Sequence, residues 1–224
     1  MIAVLTEVFT EYGDRIAQAL LETGYMVGWA ILAAVVLGLP LGTLIYLTRR
    51  GGPLENRAVW ALADLYVTVV RSFPFLLFVV FMIPVTRWVF GTTFGTTAAS
   101  FPLAFVAVAI YARLVEQILL EVPSGIVRAA QAMGASTVQT VTRFLFVEAR
   151  SGLVYALTSA TISFVSYSTV LGVVGGGGVG DFALRYGYQE YQFALMYVTI
   201  VLIIACVLVL QAAGHMLSRT LDKR

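Results

Sequence analysis

Five runs of predominantly apolar residues, each close to the length a helix needs to cross a bilayer, constrain this chain more than any other feature. They are Thr23 to Leu47, Phe73 to Phe90, Thr96 to Ala112, Leu153 to Val174 and Phe193 to Met216. A hydrocarbon core about 30 Å thick takes roughly 20 helical residues at about 1.5 Å rise each. Within lipid each backbone N–H and C=O must find its partner in the same segment, so such runs fold as helices. Pro74 and Pro84 fall in the second run. A proline at a helix start is harmless, and a kink deeper in the run is satisfied by neighbouring helices. Composition agrees with this reading: 60% of the residues are hydrophobic and only 12% are charged, against about 25% charged in a soluble domain. The expectation is an all-α integral membrane protein with five transmembrane helices in one membrane domain, 1–224.

Basic residues set the orientation, because Lys and Arg near span ends are retained in the cytoplasm. With the N-terminus outside, the inner segments hold Arg49, Arg50, Arg57, Arg71, Arg113, Arg128, Arg143, Arg150, Arg219, Lys223 and Arg224, and the outer ones only Arg15, Arg87 and Arg185. Eleven against three predicts an external N-terminus and a cytoplasmic C-terminus. Residues 1–22 carry Glu7, Glu11 and Asp14 and lack the basic start of a cleaved signal. Their apolar stripe of Leu5, Val8, Phe9, Tyr12, Ile16 and Leu20 predicts an external helix against the membrane surface or a neighbour. Arg49 to Pro53 read as a turn, and Leu54 to Val70 as an interfacial helix ahead of the second span.

Catalysis finds little to work with in this chain. Its one lysine, Lys223, is in the tail, so no glycine-rich loop ending in Lys-Ser or Lys-Thr exists to cradle a nucleotide. Gly175, Gly177 and Gly180 match the spacing of a dinucleotide fingerprint, but they follow a span and face outward in this topology. They read as a flexible external loop. Cys206 and His215 are single residues in apolar surroundings, best explained by packing. No metal, cofactor or nucleic acid is expected on the chain. The spans hold no ionisable residue in their middles, which disfavours a self-sufficient proton-coupled carrier. Arg113, Glu116 and Arg71 lie near the cytoplasmic ends, where they can snorkel or pair.

RAAQAMGAS, from Arg128 to Ser136, is small, polar and glycine-punctuated. Pro123 suits the first turn of a helix, Ile126 to Met133 continue it, and Gly134 can take the left-handed conformation that ends it. Ser136 and Gln139 form a capping box for the next helix. The result is a slim cytoplasmic elbow. The pattern alone leaves two readings open: a loop packed on its own bundle, or one inserted into a cleft of another protein.

The stretch RAAQAMGASTVQTVTRFLFVEARSGL resembles the EAA loop of ABC-importer permeases. Ala129, Ala130 and Gly134 fit its pattern and Phe144 takes its aliphatic position, while Arg128 stands where Glu is usual and Val147 where Pro is usual. VRSFPF, MIPVTRWVFGTTFG, ARLVEQILLEVPSG and SYSTVLGVVGGGGVGDFALRYGYQEYQ extend the likeness from about Thr23 to Met216, and within the family the chain is similar to methionine-import permeases.

That resemblance implies a type I importer permease fold, a homodimer in the bacterial cytoplasmic membrane, and two separate ATPase subunits that hold ATP and Mg. It also implies an extracytoplasmic substrate-binding protein, membrane-anchored as a lipoprotein or periplasmic, and methionine as solute. The ATPases would be met through a coupling loop, 121–150, with Ala129, Ala130, Gly134 and Ala135 at the contact and Glu121 and Arg128 at its rim. Ser163, Ser166, Tyr167, Ser168, Thr169 and Val170 are candidates for the solute path, with Val170 as gate; the hydroxyls serve equally well as helix-packing groups. Gly177, Gly178, Arg185, Tyr186 and Tyr188 are candidates for binding-protein docking, or the tyrosines for an interfacial belt. The alternatives are an ABC permease for another amino acid or small nutrient and, from a different class, a stand-alone channel or carrier. With only eight residues after Met216, a regulatory domain is expected on the ATPase rather than on this chain.

Overall fold

The computed structural model describes residues 2–222, with side chains from Thr10 onward; the side chains of Leu5, Val8 and Phe9 of the N-terminal stripe, and residues Lys223 and Arg224, lie outside what is described. The described residues are helical, with no strand among them. In chain order the helices are α1 (Ile2–Ala33), α2 (Leu39–Thr48), α3 (Arg57–Ser72), α4 (Phe75–Phe90) and α5 (Thr96–Glu121). They continue with α6 (Ser124–Ala132), α7 (Thr137–Gln139), α8 (Phe146–Val173), α9 (Gly178–Phe182) and α10 (Phe193–Leu221). Four continuous helices are long and apolar enough to span: Thr10–Thr48, Thr96–Glu121, Thr137–Val173 and Phe193–Leu221. The pair α3 and α4, bent by 114° at its break, brings the number to five if it counts as one span.

Two boundaries differ from expectation. The N-terminal helix runs without a break into the first span, since nothing at residue 22 or 23 terminates a helix. Only a π-helical turn, Ala34–Gly38, interrupts it before α2. Pro40 explains that turn: it offers no N–H and its ring crowds the carbonyl four residues back, so the helix widens there rather than ending. The interfacial helix starts at Arg57 rather than Leu54, because Asn56 Oδ1 accepts from the amides of Ala58 and Val59 at 3.1 and 3.2 Å and caps it. At the other end, Gly91 closes α4 at φ +73, its N–H donating to Arg87 O.

The chain forms two compact units. The first joins 1–32, 73–105 and 161–210. One of its cores is Ile16, Ala19, Val179, Phe182 and Leu195, flanked by Tyr12, Leu20 and Tyr186. The described part of the N-terminal stripe therefore packs on the chain's own helices.

The second unit joins 33–72, 106–160 and 211–224. Ile45, Ala63, Val67 and Ala112 form a core against Leu41, Trp60 and Tyr66. Gly38 and Gly42 let α2 approach α5 closely: a Cβ at Gly42 would land on the Ala112 carbonyl oxygen, and one at Gly38 would lie 3.0 Å from that of Val108. This small-residue pair four apart substitutes for the hydrophobic drive that lipid removes. α10 is fastened to α8 by a hydrogen bond between the Ser151 and Ser218 hydroxyls at 3.1 Å and by Arg150 Nε donating to Leu221 O at 2.9 Å.

α3 is locked to α5 by charge. Arg113 donates to Asp64 at 2.7 Å, to Glu116 at 2.6 Å and to Thr68 Oγ1 at 3.1 Å. The expected pairing near the span end is thus present, while Arg71 is exposed. Arg113→Ala leaves two largely covered carboxylates without their cation. It should cost on the order of 3 kcal/mol, read as a lowered thermal midpoint in detergent, whereas replacing all three groups with apolar residues of similar volume should cost far less.

Candidate functional site

The elbow has the predicted local geometry. Pro123 is the N-cap of α6 rather than a residue of its first turn. Gly134 stands at φ +75, the left-handed region. Its N–H donates to Gln131 O and the Ala135 N–H to Ala130 O, both at 3.0 Å, the bond pair of a Schellman ending. Ser136 and Gln139 complete the capping box: the Gln139 amide donates to Ser136 Oγ at 3.3 Å and the Ser136 amide to Gln139 Oε1 at 2.9 Å.

Beyond the capping box the second helix does not end before the fourth span. From Thr137 the chain continues through α7 and a π-helical turn, Thr140–Leu145, into α8, so one 37-residue helix reaches Val173. The elbow glycine therefore stands at the foot of a continuous helix that also carries Ser163 to Val170.

The elbow's outer surface differs in detail from the predicted contact. Ala129 and Gly134 are exposed and Ala135 is half-buried, but Ala130 is fully buried and faces the chain's own helices. That full burial leaves room for a small residue only. The most exposed apolar side chains are instead Met133 (67%) and Val138 (71%), either side of the glycine. Hydrophobic periodicity does not reveal them, because each is a single apolar residue beside the elbow rather than part of a long apolar face. Arg128 donates to Ser124 Oγ at 3.3 Å on the exposed side, and Glu121 is exposed at the end of α5.

The hydroxyls of α8 are turned largely to their own helix. Ser166 Oγ donates to Ile162 O at 3.2 Å, Ser168 Oγ to Val165 O at 2.7 Å and Thr169 Oγ1 to Ser166 O at 2.7 Å. Ser168 is buried; Ser163 and Val170 are half-buried. Tyr167 stacks on Phe75 with ring centroids 4.5 Å apart. Back-bonding serves these hydroxyls at present, leaving Ser166 as the exposed one among them.

The glycine-rich segment is a correction to the expected flexible loop. Gly175, Gly177 and Gly178 have φ of +82, +76 and +79, and fold the chain back so that α9 lies against the end of α8. A Cβ at Gly172 would strike the Asp181 amide nitrogen, and one at Gly180 the Thr169 carbonyl. The glycines are there for close backbone approach. From α1, Glu22 Oε2 accepts from the Gly178 amide at 2.7 Å and Thr23 Oγ1 from the Val179 amide at 2.9 Å. Gly178 is accordingly buried and Gly177 half-buried. Tyr186 is packed edge-on to Tyr12, with Arg15 5.1 Å from its ring centroid. Arg185 and Tyr188 remain exposed, as does Tyr191.

Spans joined by small-residue contacts, a glycine elbow at the foot of one long helix and a folded-back glycine hairpin at its head make a multi-pass helical membrane protein, and its likeness to known permeases gives it the type I ABC-importer fold of a transport component rather than an enzyme. Residues 38–224 match the model of the family described as binding-protein-dependent transport system inner membrane component, and the chain belongs to that family. It is 42% identical over 216 residues, 96% of each chain, to the probable D-methionine transport system permease protein MetI of Vibrio cholerae. It is 34% identical over 181 residues to the methionine import system permease protein MetP of Bacillus subtilis, covering 81% of this chain and 82% of that one. Among solved structures, a chain of the MetNI methionine ABC transporter in an inward facing conformation matches at TM-score 0.88 and 39% identity, over 91% of this chain and 94% of that one.

Proposed function

We propose that this chain is the permease subunit of an ATP-driven methionine importer. The observation that carries the reading is the 42% identity to a D-methionine permease over 96% of both chains. A second copy completes the solute pathway across a two-fold interface, because five spans are few to enclose one. The N-terminus is outside, the C-terminus cytoplasmic, and the elbow faces two ATPase subunits that hold ATP and Mg.

Closure of those subunits pulls on the elbows, and the continuous helix from Thr137 to Val173 transmits the movement to the solute path. Ala129, Gly134 and Ala135 make the contact, with Met133 and Val138 as apolar anchors and Glu121 and Arg128 at the rim. Ser163, Ser166 and Thr169 line the path, with Tyr167 and Val170 at its gate. Arg185 and Tyr188 meet the substrate-binding protein outside. Solute enters in the outward-facing state, and hydrolysis returns the bundle inward.

The test is uptake of labelled L- and D-methionine, against other amino acids, in a methionine auxotroph expressing the chain with and without its ATPase and binding protein. Methionine uptake that requires all three is the expected result. Uptake by the chain alone would overturn the ABC reading, and transport of a different solute by the trio would overturn the substrate.

A further inference from the structure

A cavity of about 670 Å³ lies in the second unit, lined by Thr48, Arg49, Arg50, Glu55, Arg57 and Trp60 together with Glu116. It is built by the turn between α2 and α3. The amides of Leu54 and Asn56 donate back to the carbonyls of Leu47 and Thr48 at 3.0 Å each, so the chain doubles over the end of the span. Gly52 is required for this, since a Cβ there would strike the Leu47 carbonyl oxygen. The fold-back brings Arg57 and Trp60, at the start of α3, to the two arginines that follow α2.

The charge in the cavity is unbalanced. Glu116 is held by Arg113, and Glu55 accepts from the Gly51 amide at 2.9 Å. Arg49, Arg50 and Arg57 make no ion pair among the described residues. Arg49 lies 4.7 Å from the Tyr46 ring centroid, and its Nε is buried with no hydrogen-bond acceptor, the one side-chain atom so placed among the described residues. A buried guanidinium N–H left without a partner is costly, and an anion seated in the cavity would relieve it.

Position selects the kind of anion. The cavity begins at Thr48, the last residue of an apolar span, which puts it at the depth of lipid headgroups. Its wall α3 buries Ala63, Val67 and Val70, yet exposes Leu62, Leu65 and Val69 on the other side, the arrangement of a helix lying in the interface. Trp60 adds the amphipathic ring favoured at that level. We infer that this cavity binds the phosphate of an anionic phospholipid headgroup, with Arg49, Arg50 and Arg57 as its ligands and the acyl chains lying along the exposed face of α3.

The inference is tested on the full chain in detergent, equilibrated with mixed vesicles of phosphatidylglycerol and phosphatidylcholine and read by native mass spectrometry. Preferential retention of phosphatidylglycerol is expected. The double variant Arg50→Gln with Arg57→Gln leaves the Arg49–Tyr46 contact untouched and should lower that preference by roughly fivefold per arginine removed. The matching lysine variants should keep most of it. A thermal melt like that of the wild type establishes that the glutamine variant is folded; should it unfold, Arg50→Gln alone carries the comparison. Equal retention of the two lipids, or a preference unchanged in the folded variant, would overturn the site. Displacement of the lipid by inorganic phosphate would overturn the lipid as its ligand and assign the cavity to soluble phosphate. None of these readings depends on transport, so the outcome is separable from the methionine assignment.

Discussion

Replacing Gly134 with Trp should abolish ATP-driven uptake while leaving membrane insertion and the helical bundle intact. Gly134 has φ +75 and nothing within 4 Å of where its Cβ would stand. A methyl group there meets nothing beyond its own chain neighbours. The internal cost is the left-handed backbone, about 1–2 kcal/mol for any L residue. That strain is shared by Gly134→Ala, which serves as the control: it should retain most of the uptake, because a methyl group adds little bulk to the elbow. The indole, projecting between exposed Met133 and Val138, should block seating of the elbow in an ATPase cleft. Equal uptake by the two variants, both inserted to wild-type levels, would remove the elbow's outer surface from the coupling mechanism.

The second large effect is expected at Gly180. Gly180→Val places a branched side chain against the Thr169 carbonyl, where the neighbour is backbone and has no rotamer through which to yield. The helices must part. Overpacking of this kind costs typically about 1–3 kcal/mol and sometimes more, and displacement of α9 would also break the bonds from Glu22 and Thr23. A clear fall in thermal midpoint in detergent and loss of uptake should follow together. Gly28→Ala is the counterpart: no atom lies within 4 Å of the added Cβ, so it should be neutral or slightly stabilising by virtue of helix propensity. A Gly180→Val protein melting with the wild type would mean that the hairpin is not packed against α8.

Much of the architecture is legible along the chain. Apolar runs of bilayer length, proline and glycine at helix ends, and the Ser136–Gln139 box are local signals, so periodicity and spacing reveal them. The elbow agrees with expectation down to the sign of φ at Gly134. The N-terminal helix is visible too, but not its fusion with the first span. No local signal marks the junction, and Pro40, which reads as a breaker, is absorbed by a π-helical turn.

The sequence by itself determined the all-helical membrane character, the elbow and the family likeness, because lipid leaves the backbone one way to satisfy its hydrogen bonds and because caps are local chemistry. The tertiary structure decided what distance hides. Gly175 to Gly178 read as a loose loop until Glu22 and Thr23, 156 residues away from their partners, are seen to bind the amides of Gly178 and Val179. Ala130 looks like a contact residue until packing buries it, and three arginines count only as topology markers until the turn at Gly52 gathers them around one cavity. In each case the deciding neighbour lies beyond the reach of local spacing, and only closure of the fold brings it into contact.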